Sequence, residues 1–186
     1  MEFRIPPVVA QPATKMSIEK SDQLLKYLED NGIAVRTFEH PPVHTVEESR
    51  ALRGDIPGVH TKNLFLRDGK KRFFLFVTDE SSAINLKALS KIIGAKGGLS
   101  FGSPDALMEM LGITAGSVSL LAALNDPEQK VTVVIDEALL RAEKINCHPL
   151  TNQRTTSLTR SDISAFMKAT GHTPMYVSLE EPDKVE

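Results

Sequence analysis

The chain predicts an α/β (α+β) domain built on one mixed sheet, and three observations carry that prediction. Two apolar runs, Asn63 to Leu66 and Arg72 to Val77, flank a turn containing Asp68-Gly69, the pattern of an antiparallel hairpin. Val131 to Ile135 is a β-branched run of the kind a sheet interior takes. Helical segments stand between the strands without a regular βαβ repeat, so the sheet is expected to be mixed.

Taken in order, residues 1–16 hold Pro6-Pro7 and Pro12 with little periodicity and are expected to form a flexible extension. One domain should cover 17–179, and 180–186 form an acidic tail. From Ser17, the spacing of Leu24, Leu25 and Leu28 gives a helical apolar face, with Ser21 as a candidate N-cap and Asn31-Gly32 as the stop. Ile33 to Phe38 alternates as a strand that His40-Pro41-Pro42 ends, and Thr45-Val46-Glu47-Glu48 opens a short helix with Thr45 as cap. Beyond the hairpin, Leu86 to Ile93 is helical and Gly94 to Gly98 is a break. Ser103-Pro104-Asp105 starts another helix, with serine at the cap and proline at its first position. The strand at Val131 leads to a short helix near Glu137 to Arg141, an irregular stretch through His148 to Thr155, a helix from Ser161 to Thr170 and a strand at Met175 to Ser178.

A chain of 186 residues, 41% hydrophobic, can bury a core without disulfides or a structural metal. It has no apolar run of membrane-spanning length and no secretory leader pattern, and Cys147 is its single cysteine. A cytoplasmic protein is expected, without a membrane partner. The formal net charge of -2 argues against a generic DNA or RNA binder, which would be basic overall. A polyanion partner would have to use a local patch such as Lys70-Lys71-Arg72 or Lys87, Lys91 and Lys96, each of which also reads as an ordinary solvated face.

Lys62-Asn63 sits at the mouth of the first hairpin strand. Burying an ammonium costs several kcal/mol unless it is paired, so Lys62 is either a solvated edge residue or a cation placed for an anionic or carbonyl ligand. Gly112 to Ser119 is rich in glycine and hydroxyls after a helix; it reads either as a helix C-cap with a small-residue linker or as a turn of backbone donors able to cradle a carboxyl or oxyanion. Cys147 beside His148 suggests an activated thiol, but adjacent side chains on extended chain point to opposite faces, which favours a packed cysteine and leaves His148 to be read alone. The five histidines lack metal-ligand spacing, so no metal is expected; phosphate-loop, dinucleotide and nucleophile-elbow motifs are absent.

Three stretches, Thr61-Lys62-Asn63-Leu64-Phe65-Leu66, Gly116-Ser117-Val118-Ser119 and His148-Pro149-Leu150-Thr151-Asn152, together resemble the YbaK/ProX family of trans-editing aminoacyl-tRNA deacylases. The likeness spans roughly Ser21 to Val177 and is greatest to the freestanding branch that clears alanine from proline tRNA. It implies a largely antiparallel, curved mixed sheet flanked by helices, and hydrolysis of the aminoacyl ester assisted by the substrate's own 2′-hydroxyl, with no cofactor. It implies Lys62, Asn63 and Gly116 as catalytic residues, and Ser117, Val118, Ser119, His148 and Thr45 as substrate-binding residues. The implied partners are the 3′ aminoacyl end of a mischarged tRNA and prolyl-tRNA synthetase, and the implied specificity is size exclusion, with a pocket that admits alanine and rejects proline. Cysteine or serine esters, or a noncatalytic tRNA-binding or synthetase-binding module, are the alternatives. The sequence departs from the family at Leu120, where the family's Gly-x-x-x-Pro loop has proline.

Overall fold

The computed structural model describes residues 12–42, 47, 51 and 56–179. The flexible segment expected before residue 12, the acidic tail 180–186 and the cap at Thr45 lie outside the described residues. Helix α1 runs Pro12–Asp30, so residues 12–16 belong to a helix rather than to an extension. Proline is tolerated in a first turn because its missing N–H would have no partner there. Ser21 is therefore not a cap: it lies inside α1, fully buried, and its hydroxyl accepts from Arg154 Nη1 at 3.2 Å.

Eight strands follow as β1 (Arg36–Glu39), β2 (Val59–Asp68), β3 (Phe73–Asp79), β4 (Leu99–Phe101), β5 (Val131–Asp136), β6 (Ile145–Cys147), β7 (Arg154–Leu158) and β8 (Met175–Val177). They form one sheet in the order β1-β7-β6-β2-β3-β5-β8, with β4 added to β2. The β2–β3 hairpin, β2–β4, β6–β7 and β1–β7 are antiparallel, while β2–β6, β3–β5 and β5–β8 are parallel, the mixed sheet that the interleaved elements predict. Helices α2 (Leu86–Ile93), α3 (Pro104–Leu111) and α4 (Arg160–Ala169) begin on side-chain caps. Asn85 accepts from Lys87 N and Ala88 N, Ser103 from Ala106 N, and Thr159 forms a reciprocal capping box with Asp162. Gly94 ends α2 in the left-handed region, φ 71°. The segment Glu137–Arg141 is a 3-10 turn capped by Asp136. β7 begins at Arg154 within the stretch expected to be irregular.

Both faces of the sheet are covered. Alternation along β2 sends Phe65 into the larger apolar cluster with Leu24 and Leu28 of α1, Leu111 of α3 and Phe166 of α4, and sends Leu66 into a second cluster with Leu89 and Ile93 of α2. Each such side chain, fully buried, contributes roughly 1.5–3 kcal/mol. Arg154 ties the first helix to this frame: its side chain is 12% exposed and its guanidinium donates to Asp22 Oδ1 at 2.6 Å and Glu39 Oε1 at 3.3 Å. Among the described residues, no helix is long and apolar enough to cross a membrane.

The turn of the β2–β3 hairpin is organised by a single carboxylate. Asp68 is 2% exposed and accepts from the backbone N–H of Lys70, Arg72 and Lys96 and from Arg72 Nε. Burial alone would raise its pKa, but the backbone donors of Arg72 and Lys96, the Arg72 guanidinium and the Lys70 N–H outweigh it and hold the carboxyl at about 2, below the ordinary 3.8. A depressed carboxyl pKa contributes stability that is present above the unfolded value and lost as pH falls through the folded one. Asp68→Asn is expected to be less stable than wild type at neutral pH in urea titrations, with the difference shrinking as pH falls from about 4 to about 2. A difference independent of pH across that window would contradict the assignment.

Candidate functional site

Strand β2 is the central strand of the sheet, and one of its edges is interrupted. On that edge β6 pairs with Val59 and His60, β4 pairs with Leu66 to Asp68, and Gly102 N donates to Phe65 O. Strand pairing therefore skips Thr61 to Leu64, the stretch that contains Lys62-Asn63. On the other edge the same residues pair continuously with β3, Lys62 opposite Thr78 and Asn63 opposite Val77.

Because successive side chains alternate, Lys62 and Asn63 leave the strand on opposite faces. Asn63 joins the side of the larger cluster, with Thr61 and Phe65. Its Oδ1 accepts from Leu120 N at 3.0 Å and its Nδ2 donates to Thr61 Oγ1 at 3.3 Å. Thr61 Oγ1 donates to Asn146 O at 2.9 Å and lies 3.7 Å from Cys147 Sγ. The asparagine thus spans the gap in the sheet and pins the 112–120 loop to β2 and β6. Leu120, at the family's proline position, supplies an N–H that proline lacks, and this N–H is the one Asn63 accepts.

Lys62 is half-buried on the opposite face, and its Nζ donates to Ser82 O in the turn after β3. The same face carries a polar row across three strands: Lys62 lies opposite Thr78, and Thr78 Oγ1 donates to Asp136 Oδ2 at 2.7 Å. It also carries the histidines. Cys147, on the Thr61 side, pairs with Thr156, so Thr155 points to the Lys62 side. Thr155 Oγ1 is 2.8 Å from His40 Nε2, and the His40 and His148 rings stand 6.3 Å apart, edge to face. His148 Nδ1 donates to Arg154 O at 2.9 Å, and His40 Nδ1 donates to Pro41 O at 2.9 Å, which places a proton on Nδ1 of each ring. Lys62, His148 and His40 therefore share one face, and Asn63 and the Leu120 backbone it holds lie on the other.

That loop contains two 3-10 turns, Ala115–Ser117 and Leu120–Asn125. Ser119 is fully buried and caps the second turn through Leu121 N, Ser117 is buried, Val118 is half-buried against the larger cluster, and Gly116 is exposed. Ser117 and Ser119 thus act as packed or capping residues of the loop. Gly102 is a glycine the packing demands, since a Cβ there would lie 2.4 Å from the Phe65 ring. Gly116 is not: its φ is ordinary, and a Cβ would meet only Asn152 Nδ2, at 3.8 Å. Among the described residues, nothing requires glycine at 116.

Cys147 is 2% exposed, and burial pushes its thiol up to about 11, with the Thr61 hydroxyl opposing the shift. It is protonated at neutral pH and faces away from His148, which rules against the thiol reading. Among the described residues, no three His, Cys, Asp or Glu side chains converge as metal ligands would. His40 and Thr155 were missed as site residues in the sequence; the alternation from Ile33 to Phe38 announces β1, but only its register with β7, which has no such pattern, brings them beside His148.

The chain is similar to known proteins along most of its length. Residues 40–166 match the model of the aminoacyl-tRNA editing domain. A prolyl-tRNA editing protein ProX from Acetoanaerobium sticklandii is 37% identical over 167 residues, covering 88% of this chain and all of that protein. A prolyl-tRNA synthetase associated domain-containing protein 1 from Danio rerio is 36% identical over 165 residues, covering 88% of this chain and 89% of that one. A solved structure presented as a candidate trans-editing enzyme for prolyl tRNA synthetase superposes with a TM-score of 0.66 at 21% identity, covering 88% of this chain and 98% of that one, which establishes the common fold.

The geometry separates the roles of Asn63 and Gly116 in a measurable way. Asn63→Ala leaves the Leu120 N–H without its acceptor and is expected to cost about 1–3 kcal/mol of stability. Gly116→Ala is expected to change stability by less than about 0.5 kcal/mol. Urea denaturation of both variants checks the pair, and a stability loss in Gly116→Ala as large as that in Asn63→Ala would show the glycine to be structural.

Proposed function

Since the chain belongs to the aminoacyl-tRNA editing domain family, we propose that it is a trans-editing deacylase that hydrolyses the ester of a mischarged tRNA, with alanyl-tRNA(Pro) as the preferred substrate. The observation that carries the reading is the segregation of chemistry by the sheet. Lys62, His148 and His40 share one face, while the thiol lies buried on the other.

Such a face suits a reaction in which the protein positions and the substrate activates. Water adds to the ester carbonyl carbon, the bond to the ribose 3′-oxygen breaks, and the products are the free amino acid and the 3′-hydroxyl of the tRNA. The neighbouring 2′-hydroxyl of the terminal adenosine orients the water. The Lys62 ammonium, already oriented by the Ser82 carbonyl, sits where a phosphate or the developing oxyanion would draw it. Exposed Gly116 lets the loop backbone approach the aminoacyl group, and Asn63 fixes that loop through Leu120. His148, held by Arg154 O, limits the size of the acyl group that enters, so alanine fits and proline does not. The names of the relatives support proline tRNA as the substrate and the synthetase that mischarges it as the functional partner.

Deacylation of alanyl, cysteinyl, seryl and prolyl proline tRNA tests the reading, with alanyl ester cleaved fastest and prolyl ester spared. Lys62→Ala is expected to lower turnover by about 100-fold with its melting temperature nearly unchanged, and Cys147→Ser to retain wild-type turnover. Tight binding of tRNA without hydrolysis of any of the four esters would identify a noncatalytic binding module instead.

A further inference from the structure

Two adjoining cavities lie at the carboxyl ends of the parallel strands β3, β5 and β8, beside the Lys62 end of β2. The larger, about 470 Å³, is walled by Arg141, Arg160, Ser164 and Tyr176. The smaller, about 250 Å³, has Ser82 and Asp136 in its wall, and Glu137 and Arg141 line both. Ser82 is the residue whose carbonyl holds the Lys62 ammonium. A polar groove therefore runs from the lysine, across the ends of β3, β5 and β8, to the first turn of α4. With strands about 4.8 Å apart, the three steps from β2 to β8 cover roughly 14 Å.

We propose that this groove holds the phosphodiester backbone of the tRNA 3′ end and delivers the aminoacyl ester to the Lys62 face; the inference rests on the deacylase reading and assigns it a tRNA-binding track. Open sheets with parallel strands bind ligands at the carboxyl ends of those strands. Guanidinium groups are suited to phosphate oxygens, and an aromatic ring at such a track offers a base a stacking surface. Tyr176 is 43% exposed. Arg160 is exposed and makes no ion pair among the described residues, although a cation at the start of a helix opposes the helix dipole. Asp136 keeps its negative charge in the wall of the smaller cavity, where its carboxylate accepts from Thr78 Oγ1 and Ala138 N. Two carboxylates of the lining, Asp136 and Glu137, repel a polyanion, and Asp136 lines only the smaller cavity, so the backbone is held on the Arg160 side of the larger one.

The test compares alanyl-tRNA(Pro) with the alanyl ester of adenosine, which has the reacting group and no phosphate. Arg160→Ala is expected to raise KM for the tRNA about tenfold with kcat retained, to cut the salt dependence of tRNA binding by about one unit of log K against log salt, and to leave turnover of the adenosine ester as in wild type. Arg160→Lys is expected to recover part of the loss. Unchanged KM and salt slope in Arg160→Ala, or an equal loss on both substrates, would overturn the groove. A wild-type protein that binds no tRNA would remove the deacylase reading and the groove together, whereas a wild type that edits while Arg160→Ala is indistinguishable from it removes the groove alone.

Discussion

The molecule depends on one constraint: β2 must be held in the middle of the sheet although part of one of its edges has no strand beside it. β3, β4 and β6 pair with β2 directly, and the remaining strands reach it through β3 or β6. Pairing with β3 on the intact edge fixes the register, and β6 and β4 grip the two ends of the interrupted edge. Between those grips, the Asn63 side chain replaces ladder bonds by accepting from Leu120 N. A gap in a sheet interior ordinarily leaves polar backbone to water or to an intruder. Here it brings a loop to the strand, and that loop carries Gly116.

Two consequences follow from the pleat of the same strand. Residues next to each other in sequence are divided between faces, so Lys62 and Asn63 cannot act as a pair on one atom; the lysine belongs with His148 and His40, and the asparagine acts on the loop. Leu120 then has a physical reason. Proline would rigidify the loop through its fixed φ, whereas leucine lets its N–H anchor the loop to Asn63, so the two residues reach a similar end by different means. The asparagine and the leucine form one device, and a change at either is felt by the other.

The hairpin, the helix from Leu86 and the helix after Ser103 were legible because local signals decide them: an Asp-Gly turn, a helical run ended by a glycine break, and a Ser-Pro start. The start of α1 was not, because Pro12 reads equally as a loop residue or as a first-turn residue, and Ser21 reads as a cap until Arg154 is found on it. β6 and β7 were missed for a different reason. Asn146, Thr155, Thr156 and Ser157 are polar yet buried, and they are satisfied across strands: Thr156 bonds Thr37 at 2.9 Å, and the Ser157 hydroxyl bonds Asn146 Oδ1. Such strands have no apolar alternation to read, because their faces are matched by hydrogen bonds that only the assembled sheet supplies. The family motifs located Lys62, Gly116 and His148; the sheet register decided which of their neighbours belong with them.

The absence of an activated thiol on the working face bears on how such a site can discriminate. A protein nucleophile would attack any acyl group presented to it, and selectivity would then have to come from binding alone. Under the proposed deacylase reading, a site whose parts are an ammonium, two imidazoles that each donate from Nδ1 to a backbone carbonyl, and a loop backbone would orient what the substrate brings. Orientation is lost by a displacement of about 1 Å, so under the proposed reading an acyl group too large to seat beside His148 would be spared even when it enters. On that reading, positional chemistry of this kind would make size exclusion sharper than the one-methylene limit of a simple apolar pocket. The lysine is already held by the β2–β3 ladder and the Ser82 carbonyl, and the capped 3-10 turn after Ser119 and the Asn63 anchor give the loop a comparable rigidity.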